Sequence, residues 1–353
     1  MRRTAKLLAF AALILAPLAA RAECSIPAVA TKGVTGFQEA VISVSDLDAA
    51  ISVWRDIGEY EVVCTGTANP IAAAFWNLPS DTRIDEVVLR KPGFTRGFIR
   101  LVKFNGVAQQ QIRSAGMFWD TGGICDIYMY VNDVRAVYEA LRAKGWQAFN
   151  DPVTYTLTST VTEVMIRGPN GEVLCLMQRV APPYDKSVYG LKDNDPLGFG
   201  VPFNAALLVK DFATSAHLFA DILGWKDHLS GNGASAAPGD NPLGLPKNIA
   251  MTHTRHFAAY ANHPTDRTGS IQILENVGLE GRDFSALADP PNLGNLALRV
   301  PVPNLAAFAA DFTKKGGVIA MPAHKMELSP YGAVDILAVK APNGARIEFF
   351  AKR

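Results

Sequence analysis

One sequence of events occurs four times along this chain. An alternating strand runs into a short polar turn, a helix follows, then a Gly-containing break, then further strands. The first copy spans about Gly36 to Phe104, the second Gly122 to Val180, the third Phe203 to Val277 and the fourth Asn292 to Ala351. Copies two and four close on near-identical segments, Gly168-Pro169-Asn170-Gly171-Glu172-Val173-Leu174-Cys175-Leu176 and Ala341-Pro342-Asn343-Gly344-Ala345-Arg346-Ile347-Glu348-Phe349. A repeat restricts the fold before any single residue is interpreted, because each unit must bury its apolar face against a neighbour.

The repeats carry their own internal logic. In copy one, Glu39 to Val44 alternates, and Ser45-Asp46 leads into a helix over Leu47 to Arg55. Asp46 fits an N-cap, its carboxylate accepting a free backbone N–H. Corresponding strands run from Asp126 to Val131, Asn204 to Val209 and Asn295 to Val300. The helices that follow them run from Val134 to Lys144, Phe212 to Leu223 and Leu305 to Lys315. Alternation places Ala40, Ile42 and Val44 under the helix and Glu39, Val41 and Ser43 on the opposite face. The segment from Ala181 to Gly200, rich in Pro, Asp, Gly and Lys, reads as a linker. It divides the chain into residues 23–180 and 201–353, each expected to be a pair of consecutive modules. Copy three adds a Gly-, Pro- and Asn-rich stretch, Ser230 to Lys247, a candidate lid or surface insertion.

Bulk properties exclude some classes of function. The chain has 353 residues, 49% apolar and 19% charged, with a net charge of +1 and no basic block, so nucleic acid is not an expected partner. Arg2, Arg3 and Lys6 precede an apolar run from Leu7 to Ala20, and Ala20-Arg21-Ala22 supplies a small-x-small cleavage site. Residues 1–22 therefore read as a signal peptide. The mature chain is expected to start near Glu23 and to be exported, to a periplasm, with no stable membrane span. Cys24, Cys64, Cys125 and Cys175 could form up to two bridges by any of three pairings, or could be buried thiols. The oligomeric state cannot be read from the chain.

Four β-α-β-β-β units resemble the vicinal oxygen chelate superfamily, the glyoxalase/bleomycin-resistance/extradiol-dioxygenase group. The most specific pieces are Ile42-Ser43-Val44-Ser45-Asp46-Leu47-Asp48-Ala49-Ala50-Ile51, Trp54-Arg55-Asp56-Ile57-Gly58 and the two closing segments. The resemblance implies an α+β fold of four βαβββ modules, paired into two curled-sheet, barrel-like domains whose cavities hold the site. It also implies a metal ligand, usually His, seven residues before the turn Asp, and a Glu on the last strand.

Carried across, those positions hold Glu39 and Arg100 in copy one, Asp126 and Cys175 in copy two, Asn204 and Gln272 in copy three, and Asn295 and Glu348 in copy four. None is His. Fe(II) and Zn(II) favour imidazole, so only a weak oxygen site for Mg, Ca or Mn centred on Glu348 remains, and no cofactor is assigned. Glu39, Arg100, Asp126 and Cys175 are expected to form a pseudo-site in which an ion-pair cluster replaces the metal. All six His lie in the C-terminal half. Glu348, His256, His253 and Tyr260 are the candidate catalytic residues, because neutral imidazole is the usual general acid or base near pH 7. Asn204, Asn295, Gln272 and His324 are the candidate ligand-binding residues.

The expected function is an exported enzyme acting on a small oxygenated or aromatic molecule by lyase- or isomerase-type proton chemistry. A non-catalytic, bleomycin-resistance-type protein that sequesters a small molecule is the alternative. An extradiol-type dioxygenase is a further one, disfavoured by the missing His pair.

Overall fold

The computed structural model describes residue 24 and residues 36–156, 159–233, 251–258 and 268–353. The leader 1–22, Tyr260, and residues 234–247 of the Gly-rich stretch lie outside the described residues.

The first module contains β1 (Glu39–Ser43), α1 (Leu47–Ser52), β2 (Glu61–Thr67), α2 (Ile71–Phe75), β3 (Arg83–Arg90) and β4 (Phe98–Asn105). The second contains β5 (Asp126–Tyr130), α3 (Val134–Ala143), β6 (Gln147–Ala148), β7 (Val153–Thr156), β8 (Thr160–Arg167) and β9 (Val173–Ala181). The third contains β10 (Asn204–Leu208), α4 (Phe212–His217), β11 (Lys226–Gly233), β12 (Met251–Ala258) and β13 (Ser270–Val277). The fourth contains β14 (Gly294–Pro301), α5 (Leu305–Lys314), β15 (Ile319–Leu328), β16 (Gly332–Lys340) and β17 (Arg346–Lys352).

The repeated turn does the same work in every module. Asp46, Asp133, Asp211 and Asn304 are extended N-caps whose side chains accept N–H groups from the first turns of α1, α3, α4 and α5. Each such cap stabilises its helix by about 1 kcal/mol. In the first and third modules the helix continues as a π-helical turn, Val53–Ile57 and Leu218–Ile222. The expected helices over Leu47 to Arg55 and Phe212 to Leu223 are thus each continuous in space but wound in two ways.

Among the described residues the strands form two sheets. The first runs β15-β16-β17-β14-β1-β4-β3-β2, and the second runs β11-β12-β13-β10-β5-β9-β8-β6 with β7 on β8. The first sheet is strongly curled. The strand order corrects the expected pairing of consecutive modules. Module one joins module four through β1 and β14, and module two joins module three through β5 and β10. Both inter-module seams are antiparallel, whereas β1–β4, β5–β9, β10–β13 and β14–β17 inside the modules are parallel.

Alternation then sorts side chains into three apolar clusters. Ala40, Ile42, Ile127, Met129, Ala205, Leu207, Leu298 and Val300 face the helices in one large core shared by both sheets. The opposite face of the first sheet carries Val41, Phe98, Val102, Ala297 and Phe350. That of the second carries Tyr128, Met165, Cys175, Ala206 and Leu274. The two closing turns lock the sheets together. Asn343 donates from Nδ2 to the carbonyls of Gly123 and Leu208, and Asn170 Oδ1 accepts from the backbone N–H and hydroxyl of Ser45. Gly344 has φ +80°, and a Cβ there would come within 2.7 Å of Ser285 O, so the turn requires glycine.

Candidate functional site

The concave faces of the two sheets have opposite chemistry. In the first sheet, β1, β3, β4, β14 and β17 each place charged side chains at inward positions. Glu39, Arg100 and Glu348 are fully buried, and Glu86, Arg299 and Arg346 nearly so. Arg100 donates from Nε and Nη2 to Glu39 at 2.6 and 3.0 Å, and from Nη1 to Glu86 at 2.7 Å. Arg299 bridges the modules, donating from Nη1 to Glu39 at 2.8 Å and from Nε to Glu348 at 2.7 Å. Arg346 Nε donates to Glu348 at 2.7 Å, as does the indole N–H of Trp76. The Tyr331 hydroxyl donates to Glu39 at 3.0 Å. Three carboxylates meet three guanidinium groups, so the cluster is neutral and its members are mutually satisfied.

Burial alone pushes both central carboxyls toward protonation, but the guanidinium groups outweigh it. Arg100 and Arg299 hold Glu39 below the usual carboxylate range, and Arg299 and Arg346 hold Glu348 down at about 2. Burial likewise opposes the charge on Arg100, and Glu39 and Glu86 overcome it, so its pKa is raised. The expected replacement of a metal by an ion-pair cluster thus has its counterpart in Glu39 and Arg100. Asp126 and Cys175 belong to the other sheet, a correction that follows from the module pairing. The resemblance selected Asn295 as the inward position on the first strand of copy four, but the residue that stands opposite Glu39 in the β1–β14 register is Arg299. A bulge between Val41 and Ile42 shifts Asn295, which instead donates to the backbone carbonyls of Cys125 and Val173.

A divalent cation does not fit this cluster. The oxygens that would bind it already accept charged N–H donors at 2.6–2.8 Å, and a cation among three guanidinium groups would meet strong repulsion.

The second sheet holds uncompensated acid. Asp126 on β5 is fully buried, and neither carboxyl oxygen has a hydrogen-bond partner among the described residues. Burial first, and then the charge of Glu163 on β8, push its pKa up to about 8. Arg113, and a contact from the Ala206 backbone N–H that falls short of hydrogen-bond geometry, act only as weaker offsets. Burial also raises Glu163, to about 7, although the Tyr155 hydroxyl donates to its Oε2 at 2.6 Å and the Cys175 thiol adds a second contact. The Cys175 thiol is itself raised well above the ordinary range by burial and then by the nearby carboxyls. Cys175 belongs to an apolar cluster on this face with Phe118, Tyr128 and Met165, against which Phe203 packs. On β10 and β13 the amide of Asn204 donates to Gln272 Oε1 at 3.0 Å, while Ser270 donates to Asn204 Oδ1 at 2.9 Å. Both candidate amides of copy three therefore lie on this face and pair with one another. No group of three or more metal-ligating His, Cys, Asp or Glu occurs among the described residues.

The remaining sequence candidates separate. Glu348 lies in the first sheet, and His253 and His256 lie on β12 in the second, so the structure does not bring them together. His256 stands opposite Gln272 in the strand register and His253 opposite Glu275. Half-buried His324 sits on β15 with its Nδ1 2.8 Å from the carbonyl oxygen of Pro322 and its ring against Phe75, outside the ion cluster. Sequence reasoning missed Glu86, Glu163, Arg299 and Arg346. Arg299 interrupts the apolar run from Leu296 to Val302, and a charge within such a run requires a partner or a function.

No protein-family model and no curated protein matches the chain. Solved structures do. Glyoxalase I from Zea mays aligns over 90% of this chain and 92% of its own, with a TM-score of 0.57 and 16% identity. A putative dioxygenase from Bacillus subtilis aligns over 91% and 86%, with a TM-score of 0.56 and 11% identity. At such identities the likeness concerns the fold.

Proposed function

We propose that this chain, which has the paired βαβββ fold of the vicinal oxygen chelate superfamily, is an exported enzyme. It carries out lyase- or isomerase-type proton transfer on a small oxygenated molecule in the cavity of the second sheet. The observation that carries the reading is Asp126, a buried carboxyl with no protein partner among the described residues, set beside a second buried carboxyl. A protein that only needed to fold would place an apolar residue there, because burying an unpaired carboxyl is costly.

The pair suits acid–base work. With Asp126 raised to about 8 and Glu163 to about 7, Glu163 ionises first and its charge helps hold Asp126 protonated near neutral pH. One carboxyl is then ionised while the other holds a proton, the arrangement needed for a base and an acid acting in turn. Glu163, whose Oε2 accepts from Tyr155, is the base, and Asp126 is the acid. The neighbouring Phe118, Tyr128 and Phe203 exclude water and give a flat substrate an apolar wall. The hydrogen-bonded chain Ser270–Asn204–Gln272 gives the same face a fixed polar strip beside that wall. Glu348, locked in the ion cluster of the first sheet, has no catalytic part. No step passes through a metal, because neither concave face offers a fitting donor set among the described residues.

The test is hydrogen exchange. Small α-hydroxy ketones, α-keto acids and phenols are incubated with the protein in deuterated water, and deuterium entry at carbon is followed by NMR. Exchange that is lost in Asp126→Asn and Glu163→Gln, but kept in Glu348→Gln, supports the reading. Tight binding with no exchange on any ligand assigns the chain instead to sequestration of small molecules, and exchange lost only in Glu348→Gln overturns the site.

A further inference from the structure

Two of the four cysteines are neighbours. Cys24 packs against the apolar cluster on the concave side of the first sheet, the cluster that contains Cys64 of β2. Its Sγ lies 4.0 Å from the carbonyl oxygen of Val63, the residue preceding Cys64. The thiol of Cys64, raised chiefly by burial, is raised further by a hydrogen bond and charge interaction with Cys24. Cys125 and Cys175 lie elsewhere, buried on the concave face of the second sheet.

We propose that Cys24 and Cys64 form a disulfide once the chain meets an oxidising compartment. The reaction is thiol–disulfide exchange with a low-molecular-weight or protein disulfide, R–S–S–R. The sulfur of Cys24, the partly exposed partner, attacks one sulfur of the oxidant, giving up its proton and releasing R–SH. The Cys64 thiolate then attacks Cys24 in the mixed disulfide and releases the second R–SH. Two cysteine thiols are oxidised, and one external disulfide is reduced to two thiols.

The bond has a structural purpose. β2 is the last strand of its sheet, and most of its residues are exposed. An edge of that kind is open to pairing with other chains. Cys24 stands two residues beyond the cleavage site read from the leader, so the bond would tie the start of the mature chain to this edge. It closes a loop of about 40 residues, long enough for a cross-link to restrict the unfolded chain strongly.

The experiment uses the full chain, reduced, purified and then incubated with oxidised glutathione. Free thiols are alkylated after unfolding, and the digest is mapped by mass spectrometry. The expected result is a Cys24–Cys64 linked peptide, with Cys125 and Cys175 alkylated. A reductant should lower the melting temperature of the oxidised chain by about 5 °C and leave Cys24→Ser unaffected. Cys24→Ser, altered at a partly exposed position, serves where Cys64→Ser fails to fold, and in it Cys64 should become alkylated. Alkylation of all four cysteines after oxidation, a different pairing, or a melting temperature indifferent to reductant would each overturn the proposal.

Discussion

Replacing Glu348 by Gln tests the claim that the first sheet carries a structural ion cluster rather than a catalytic residue. Glu348 accepts three short hydrogen bonds, from Arg299, Arg346 and Trp76, each at 2.7 Å. Gln keeps the shape but removes the charge, leaving three guanidinium groups against two carboxylates. The guanidinium groups lower the carboxyl from 4.5 to about 2, which corresponds to about 3 kcal/mol of stabilisation at neutral pH. Removing one partner from a buried ion pair costs a similar ~3–5 kcal/mol. For a chain of this size that is a fall of about 5 °C in melting temperature. The sign with pH follows. The folded pKa lies below the unfolded one, so the contribution is fully present above about pH 4.5. It is lost as pH falls toward 2, and the gap between wild type and Glu348→Gln should therefore close over that interval. Scanning calorimetry at pH 7 and down to pH 3 measures both. The double variant Glu348→Gln/Arg299→Met restores charge balance, with Glu39 and Glu86 against Arg100 and Arg346, and should recover part of the loss. Wild-type melting in Glu348→Gln at pH 7, together with lost deuterium exchange, would refute the reasoning and return Glu348 to the chemistry.

Two further predictions concern other parts of the molecule. Asp126 should act in the opposite sense to Glu348. Its folded pKa is raised to about 8, so wild-type stability falls as pH rises from about 4 to about 8. Asp126→Asn should flatten that fall and melt higher than wild type above pH 8, by thermal denaturation in a pH series; a constant difference at all pH values would contradict the assignment. Asn343→Ala removes two hydrogen bonds that join the fourth module to the carbonyls of Gly123 and Leu208. A loss of about 1–3 kcal/mol in urea unfolding is expected, and an unchanged midpoint would argue against the turn as a cross-brace between the sheets.

The modules were legible because their signals are local. Asp46, Asp133, Asp211 and Asn304 announce helix starts through chemistry contained within one turn. Alternation likewise separated Ala40 and Ile42 from Glu39 and Val41 without any knowledge of the partner strand. The pairing of modules was not legible. Sequential and nested pairing both bury the same strand faces, and nothing within β1 says whether β5 or β14 will lie beside it. That one unknown carried through to the site. Glu39 and Arg100 could be read together because they belong to one module, while Asp126 was grouped with them only because consecutive modules were taken to pair. Arg299 was hidden for a second reason. The strand pattern pointed to Asn295 as the inward position of copy four, and only the β1–β14 register places Arg299 opposite Glu39.

Pairing the first module with the fourth has a consequence for the order in which the molecule can be completed. Glu39 and its partner Arg299 are separated by 260 residues. Synthesis from the N-terminus delivers Glu39, Glu86 and Arg100 early, an incomplete set with an excess negative charge. The second sheet has all its strands once Val277 has been made, but β17 closes the first sheet at almost the last residue. The repeat that was made first is therefore the one that waits longest, and the inner pair of modules can serve as the finished base on which the outer pair closes.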